Sequence, residues 1–291
     1  MAKKEKKTAK RRGPVAEVWH YFIRNKGSVV GLVIFSLIIA ASIAGYFLID
    51  YESIVALNGR EMLLSPSWEH PFGTDQYGRD IFLRVIYGAR YSLSVGIVAV
   101  AVALGIGGVL GMIAGNMGCI VETLIMRGCD VFASIPSVLL AICIANAFGS
   151  NTWVLMLAVG LVSVPAFARV ARASVMTVRD MEFVEAARAV GVSNVRIMFT
   201  HILPNALAPI VVQATMRVGS AIIVGSSLSF LGMGVPVPAP EWGAMLSDGR
   251  SFIRDYSYMT LFPGLAIMIT VLSINLIGDG LRDAMDPKLK R

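Results

Sequence analysis

The stretch "EFVEAARAVGVSNVRIMFTHILPN", residues 182–205, is an amphipathic and charged segment in a chain that is otherwise strongly apolar. Phe183, Ala186, Ala187 and Val190 fall at i, i+3, i+4 and i+7, the stripe of a helix with one apolar face. Thr177, with Asp180 three residues on, is read as the start of that helix, and Gly191 as its left-handed C-terminal residue. Ser193 stands where it can cap a second helix, whose own stripe is Val195, Met198, Phe199 and Ile202. Pro204 falls in the first turn of the next apolar run, a position that tolerates proline. Glu182, Glu185, Arg188 and Arg196 supply the polar side. Two such helices hinged at a glycine make an elbow that suits DNA, a bilayer surface or a groove on another protein.

Composition narrows the choice. Of 291 residues, 56% are hydrophobic and 15% charged, and the mean hydropathy is +0.69. Soluble domains carry about 25% charge, so lipid is the solvent this chain requires. Six apolar stretches are predicted to cross a bilayer, at 28–49, 92–116, 130–148, 152–172, 206–231 and 259–279. The first carries no charge and is too long an apolar run for a cleavable signal peptide. The third and fourth are joined by "GSNT", which reads as a tight hairpin.

The 26 Lys and Arg residues then set the topology. Nine precede residue 28, one lies in 117–128, five in 169–205 and four after 279, nineteen on one side. The other side holds six: Arg60, Arg79, Arg84, Arg90, Arg250 and Arg254. That asymmetry places both termini and the 173–205 segment in the cytoplasm. The net charge of +7 therefore reports membrane orientation, and nucleic acid is not a partner. Cys119, Cys129 and Cys143 have no metal-ligand spacing and give no disulfide framework.

Four regions follow. Residues 1–27 are a basic tail, drawn to anionic lipid headgroups, and an interfacial or lead-in helix anchored by Trp19 and Tyr21. Residues 28–91 hold the first span and an external loop; 92–279 form a five-helix core with the elbow at 173–205; 280–291 are a cytoplasmic tail. Within the core, Gly107, Gly111 and Gly115 recur every fourth residue, the small-residue pattern that lets two membrane helices approach closely. The 232–258 loop, rich in proline, is expected to be ordered and external. No Walker A sequence occurs, and the three histidines lie far apart, so no catalytic residue is assigned.

"EAARAVG" at 185–191 followed by "HILP" at 201–204 is similar to the EAA motif of ABC-importer permeases. "WHYFIRNKGSVVGLV", "FGTDQYGRDIFLRVIYGARYSLSVG", "SFLGMGVPVPAPEWGAMLSDG" and "FPGLAIMITVLSINLIGDGLRDAMDPKLK" resemble the C-type permease of dipeptide, oligopeptide and nickel importers. The family pattern has isoleucine where this chain has His201. The resemblance implies an all-α, type I importer permease in the bacterial cytoplasmic (inner) membrane. Its EAA segment would be the coupling helix, and Glu185, Ala186, Ala187, Gly191 and Pro204 the ATPase-coupling residues. The implied partners are a second, B-type permease, two ABC ATPases that bind ATP and Mg, and an extracytoplasmic solute-binding protein. No cofactor belongs to this chain itself.

Other residues carry candidate roles. Arg217 lies mid-span, where a charge costs a few kcal/mol on insertion scales and faces a bundle interior or an aqueous path. With Gln213 one turn earlier it is placed either to contact a passing peptide carboxylate or to pair with a carboxylate of the second permease. Asp75, Arg79 and Asp80, with His70 nearby, read as an ion-paired loop in preference to a metal site, and "PEWG" at 240–243 as either a receiving surface or a fixed loop. A metal-chelate permease of the same family, or an ATP-independent secondary transporter, is the competing expectation.

Overall fold

The computed structural model describes residues 13–149 and 151–286; the basic run 1–12, most of the tail beyond α12 (287–291) and Ser150 of the hairpin lie outside the described residues. The described chain is helical: α1 (Pro14–Arg24), α2 (Lys26–Leu48), α3 (Tyr51–Val55), α4 (Ile81–Met117), α5 (Cys119–Ser134), α6 (Ser137–Phe148), α7 (Thr152–Arg179), α8 (Glu182–Ala189), α9 (Asn194–Ile197), α10 (Leu203–Phe230), α11 (Trp242–Gly249) and α12 (Tyr258–Met285). Among the described residues the β pairing is one isolated bridge between Thr74 and Asp80.

Among the described residues five stretches are long and apolar enough to cross a membrane: α2, α4, α7, the run Asn194–Phe230, and α12. The expected third span is not one straight helix. α5 and α6 meet at 89°, so the sixth crossing exists only as a bent pair. Pro136 explains the break, because proline has no N–H to donate and its ring excludes the preceding turn. Helix ends shift elsewhere too. α4 begins eleven residues before the expected span, because Asp80 Oδ1 accepts from the Leu83 N–H at 2.9 Å and opens the helix there. α7 runs on through Thr177, whose hydroxyl donates to the Ala173 carbonyl at 2.9 Å, so Thr177 starts no new helix. The expected tail from residue 280 is helical as far as Met285. Asn151 caps α7 by accepting from the Val154 N–H at 2.9 Å, which closes one side of the hairpin.

The core lies where α4, α7 and α10 meet. Val95, Ala99 and Ala103 of α4 pack with Leu155, Val159 and Phe167 of α7 and with Ala221 and Leu228 of α10. The glycine stripe sits at the α4–α7 contact. A Cβ on Gly107 would stand 2.5 Å from the Val164 carbonyl and one on Gly115 2.9 Å from that of Arg172; one on Gly111 would meet the Ala168 carbonyl. Three glycines and three carbonyls, each four residues apart, make a seam in which only hydrogen fits. Between membrane helices such contact supplies the dispersion attraction that burial from water cannot. Arg179 locks the far end, donating to the Gly115 carbonyl at 2.7 Å. α12 packs against α10 and α2, with Gly31 of α2 close to the Ser273 carbonyl. α1 joins them, burying Phe22 while Trp19 stays exposed and stacks on it, centroids 5.8 Å apart. One end of the bundle thus gathers α1, the start of α2, the ends of α7 and α12 and the elbow. The other carries residues 50–80 and 231–257.

Candidate functional site: the elbow, the Arg217 cavity and the loop cluster

α8 starts after Met181, whose backbone is extended, and ends in a left-handed turn at Gly191 with φ +81°. The Val192 N–H reaches the Ala187 carbonyl at 3.1 Å and the Gly191 N–H reaches Arg188 at 2.9 Å, the paired bonds of a Schellman end. Ser193 precedes α9 as expected, but its side chain makes no capping bond. α9 is a single turn that widens into a π-turn at Met198–Ile202, where the Leu203 N–H reaches back to the Met198 carbonyl. The wide turn sits immediately before Pro204, which is exposed in the first turn of α10 and has no donor to offer. The elbow therefore runs into α10 without a break.

The inward face differs from the expected stripes by about one residue. Val184 and Ala187 of α8, with Ile197, Met198 and Ile202, are buried against Val175 and Val178 of α7 and Ala206 of α10. Phe183, Ala186, Val190, Val195 and Phe199 point outward; Val190 is 79% exposed, Val195 70% and Phe199 60%. Of the proposed coupling residues only Ala187 is buried, while Glu185, Ala186, Gly191 and Pro204 are on the surface. A small seam fixes the elbow to α7 and α10, and exposed apolar side chains are left outward on the same short helices as Glu182, Glu185, Arg188 and Arg196. Exposed apolar side chains among charges are features of protein, membrane and ligand contact surfaces.

Arg217 lines a cavity of ≈ 330 Å³ between the α5–α6 break, α7 and α10, together with Arg169, Ser137, Ser163 and Ser220. Arg169 donates to Asp130 Oδ1 at 3.0 Å, and Arg172 pairs with Glu122, so α5 is tied to α7 by two ion pairs. Gln213 does not share that cavity. It lines a separate cleft with Met216, Arg282 and Asp286, so the structure does not bring the two candidate path residues together.

At the opposite end, the loop is held by buried charge. Asp75 accepts from the Tyr77 and Arg79 N–H groups at 2.8 and 3.0 Å, and its Oδ2 takes Arg79 Nε at 2.6 Å. Arg79 Nη2 donates to Asp248 of α11 at 3.1 Å, and Arg84 donates to the Ile54 carbonyl at 2.8 Å. Partial burial pushes the Asp248 carboxyl above its ordinary pKa, against the opposing pull of Arg79. His70 Nδ1 lies 2.8 Å from Asp80 Oδ2. This is the ion-paired loop of the sequence reading, and no group of three metal-ligating side chains occurs among the described residues. Glu241 and Trp242 are 1% and 2% exposed, so "PEWG" is a fixed element at this point and not an open receiving surface. Glu241 caps α11 through the Ala244 N–H at 2.9 Å and accepts from Ser92 at 3.1 Å, while Trp242 Nε1 donates to the Val85 carbonyl at 2.9 Å. Sequence reasoning missed this clasp; the one local signal was an acidic residue just ahead of a short helix.

A polytopic helical bundle whose elbow is built on two of its spans is the architecture of a membrane-transport subunit, and its relatives give the family. Residues 107–291 match the model of the binding-protein-dependent transport system inner membrane component, and residues 13–66 that of the N-terminal transmembrane domain of oligopeptide transport permease C. The chain is 48% identical over 277 residues to the dipeptide transport system permease protein DppC of Alkalihalophilus pseudofirmus, covering 95% of this chain and 91% of that one. It is 42% identical to the glutathione transport system permease protein GsiD of Pectobacterium atrosepticum (96% and 93% covered) and 41% identical to a di/tripeptide permease of Pseudomonas aeruginosa (95% and 93%). Among solved structures, the MetNI methionine ABC transporter in an inward-facing conformation has TM-score 0.60 at 18% identity, covering 71% of this chain and 98% of that one. The chain belongs to the family of binding-protein-dependent transport system inner membrane components, and its fold is that of a type I ABC importer permease.

Proposed function

We propose that this chain is the permease subunit of an ATP-driven importer of short peptides, forming half of the path and receiving the ATPase stroke through its elbow. The carrying observation is the outward apolar face of Phe183, Val195 and Phe199 on an elbow whose inner face is welded to α7 and α10. A loop that only tidied a bilayer surface would need no such built shape. The elbow end, with both termini, faces the cytoplasm of the inner membrane; the ion-paired loops face outward. The partners are a second permease, two ATPases that bind ATP and Mg²⁺, and an external solute-binding protein. Relatives that carry dipeptides, di/tripeptides and glutathione support a peptide substrate over a metal chelate. ATP-driven closure of the ATPases pushes the elbow, α7 and α10 follow, and the path between the two permeases opens alternately to each side.

The test is co-purification and uptake with the co-expressed complex. Val195→Asp with Phe199→Asp places two charges on the docking face without touching the buried seam. ATPase is then expected to be lost from the purified permease pair, and uptake of radiolabelled dialanine with it. Retention of ATPase and full uptake in that double variant would refute the docking face.

A further inference from the structure

The cavity at the α5–α6 break holds an arginine that the fold leaves unspent. Arg217 is half-buried mid-way along α10, and among the described residues it makes no ion pair or hydrogen bond. A charge held at that depth is costly and needs a compensating anion or water. Neighbouring Arg169 commits one nitrogen to Asp130 and keeps further N–H groups toward the same space. Ser137, Ser163 and Ser220 add hydroxyls to the wall, and apolar residues, Phe132, Ile135 and Val162 among them, make up the rest. The volume, ≈ 330 Å³, lies at the lower end of small-ligand sites. The first turn of α6 lines the same wall and has no capping side chain.

We infer that Arg217, seconded by Arg169, is a carboxylate-binding station on the transport path, taking the C-terminal carboxylate of the peptide in transit. The inference rests on the peptide reading above. A planar carboxylate matches the guanidinium fork in two parallel hydrogen bonds, and the apolar wall opposite suits an aliphatic side chain. No covalent step is involved: the site binds and releases. Because Arg169 already carries Asp130, an incoming carboxylate meets net positive charge from Arg217 alone, which favours capture without irreversible retention.

The experiment uses the complete reconstituted transporter in proteoliposomes, with labelled dialanine and its C-terminal amide as probes. Each is supplied at concentrations that saturate the solute-binding protein, checked on that protein alone. The wild type is expected to carry the acid at least tenfold faster than the amide, the size of one charge-assisted bond. Arg217→Gln should bring that ratio near one with the complex still assembled, and Arg217→Lys should restore part of it. An unchanged acid-to-amide ratio in Arg217→Gln overturns the station while leaving the peptide reading intact. Failure of that variant to co-purify with the second permease overturns it too, and assigns Arg217 to a partner carboxylate. Absence of peptide uptake by an ATP-hydrolysing wild-type complex would instead overturn the peptide reading itself, and the station with it.

Discussion

Replacing Gly191 separates backbone conformation from size, because no heavy atom lies within 4 Å of a Cβ built there. Within this chain an added side chain meets no neighbour, so the penalty on the elbow's own fold is conformational. The residue has φ +81°, where an L-residue costs about 1–2 kcal/mol, with valine at the upper end because it is β-branched. Relaxing the backbone instead would sacrifice the Gly191–Arg188 and Val192–Ala187 bonds, each contributing about 1 kcal/mol. By either route Gly191→Val costs about 2 kcal/mol, roughly thirtyfold in the population of correctly bent elbows. Gly191→Ala should cost about 1 kcal/mol, near fivefold, and Gly191→Asn less, since asparagine tolerates the left-handed region. The assay is dialanine imported per ATP hydrolysed by the reconstituted transporter. Valine is expected to uncouple the two, with hydrolysis continuing while import falls by an order of magnitude. The variants should rank Gly, Asn, Ala, Val. A ranking by size, with Ala better than Asn, would refute the conformational account, and so would a valine variant that imports at the wild-type ratio.

Two further predictions concern the bundle. Gly107→Ala should lower the thermal stability of the purified complex by about 1–3 kcal/mol, because its Cβ would meet the Val164 carbonyl at 2.5 Å; Gly108→Ala, whose nearest neighbour is a Leu104 methyl at 3.6 Å, should be near neutral. Equal effects in a thermal-melt comparison would contradict the seam. Arg79→Ala should cost about 3–5 kcal/mol by stranding the buried Asp75 carboxylate, and Arg79→Ala combined with Asp75→Ala should cost less than the sum of the singles. Simple additivity in that double-mutant cycle would show the pair to be uncoupled.

The spans and the glycine seam were legible in the sequence because their signals are local: hydropathy over one helix length, and a four-residue repeat. Gly191 was legible for the same reason, as a helix end with a glycine in place. The facing of the elbow was not. A helix lying between a bundle and a docking surface has apolar residues all round, so Phe183 and Val184 compete for the inward side and their spacing cannot separate them. The break at Pro136 was overridden by the apolar run on both sides of it. The Arg79–Asp248 pair, 169 residues apart in the chain, has no local signature at all. Arg217 could be singled out as a charge within a span, but its cavity is assembled from four separate helices, and which cavity Gln213 lines instead depends on how the helices pack.

The glycine seam also settles what can move. A screw of α4 along α7 by one residue, a rise of about 1.5 Å with a turn of about 100°, would bring Ile106 and Leu110, or Met112, to carbonyls that only hydrogen can face, so the seam opposes that motion. α4 is 37 residues long, about 55 Å from end to end, and starts within the charged cluster that fastens the opposite loops. α4 thus reaches from that cluster to Met112, which packs beside the elbow's buried seam. The helical geometry is irregular at the corner at Pro136 and at the widened turn before Pro204, and those are the places where the bundle can bend.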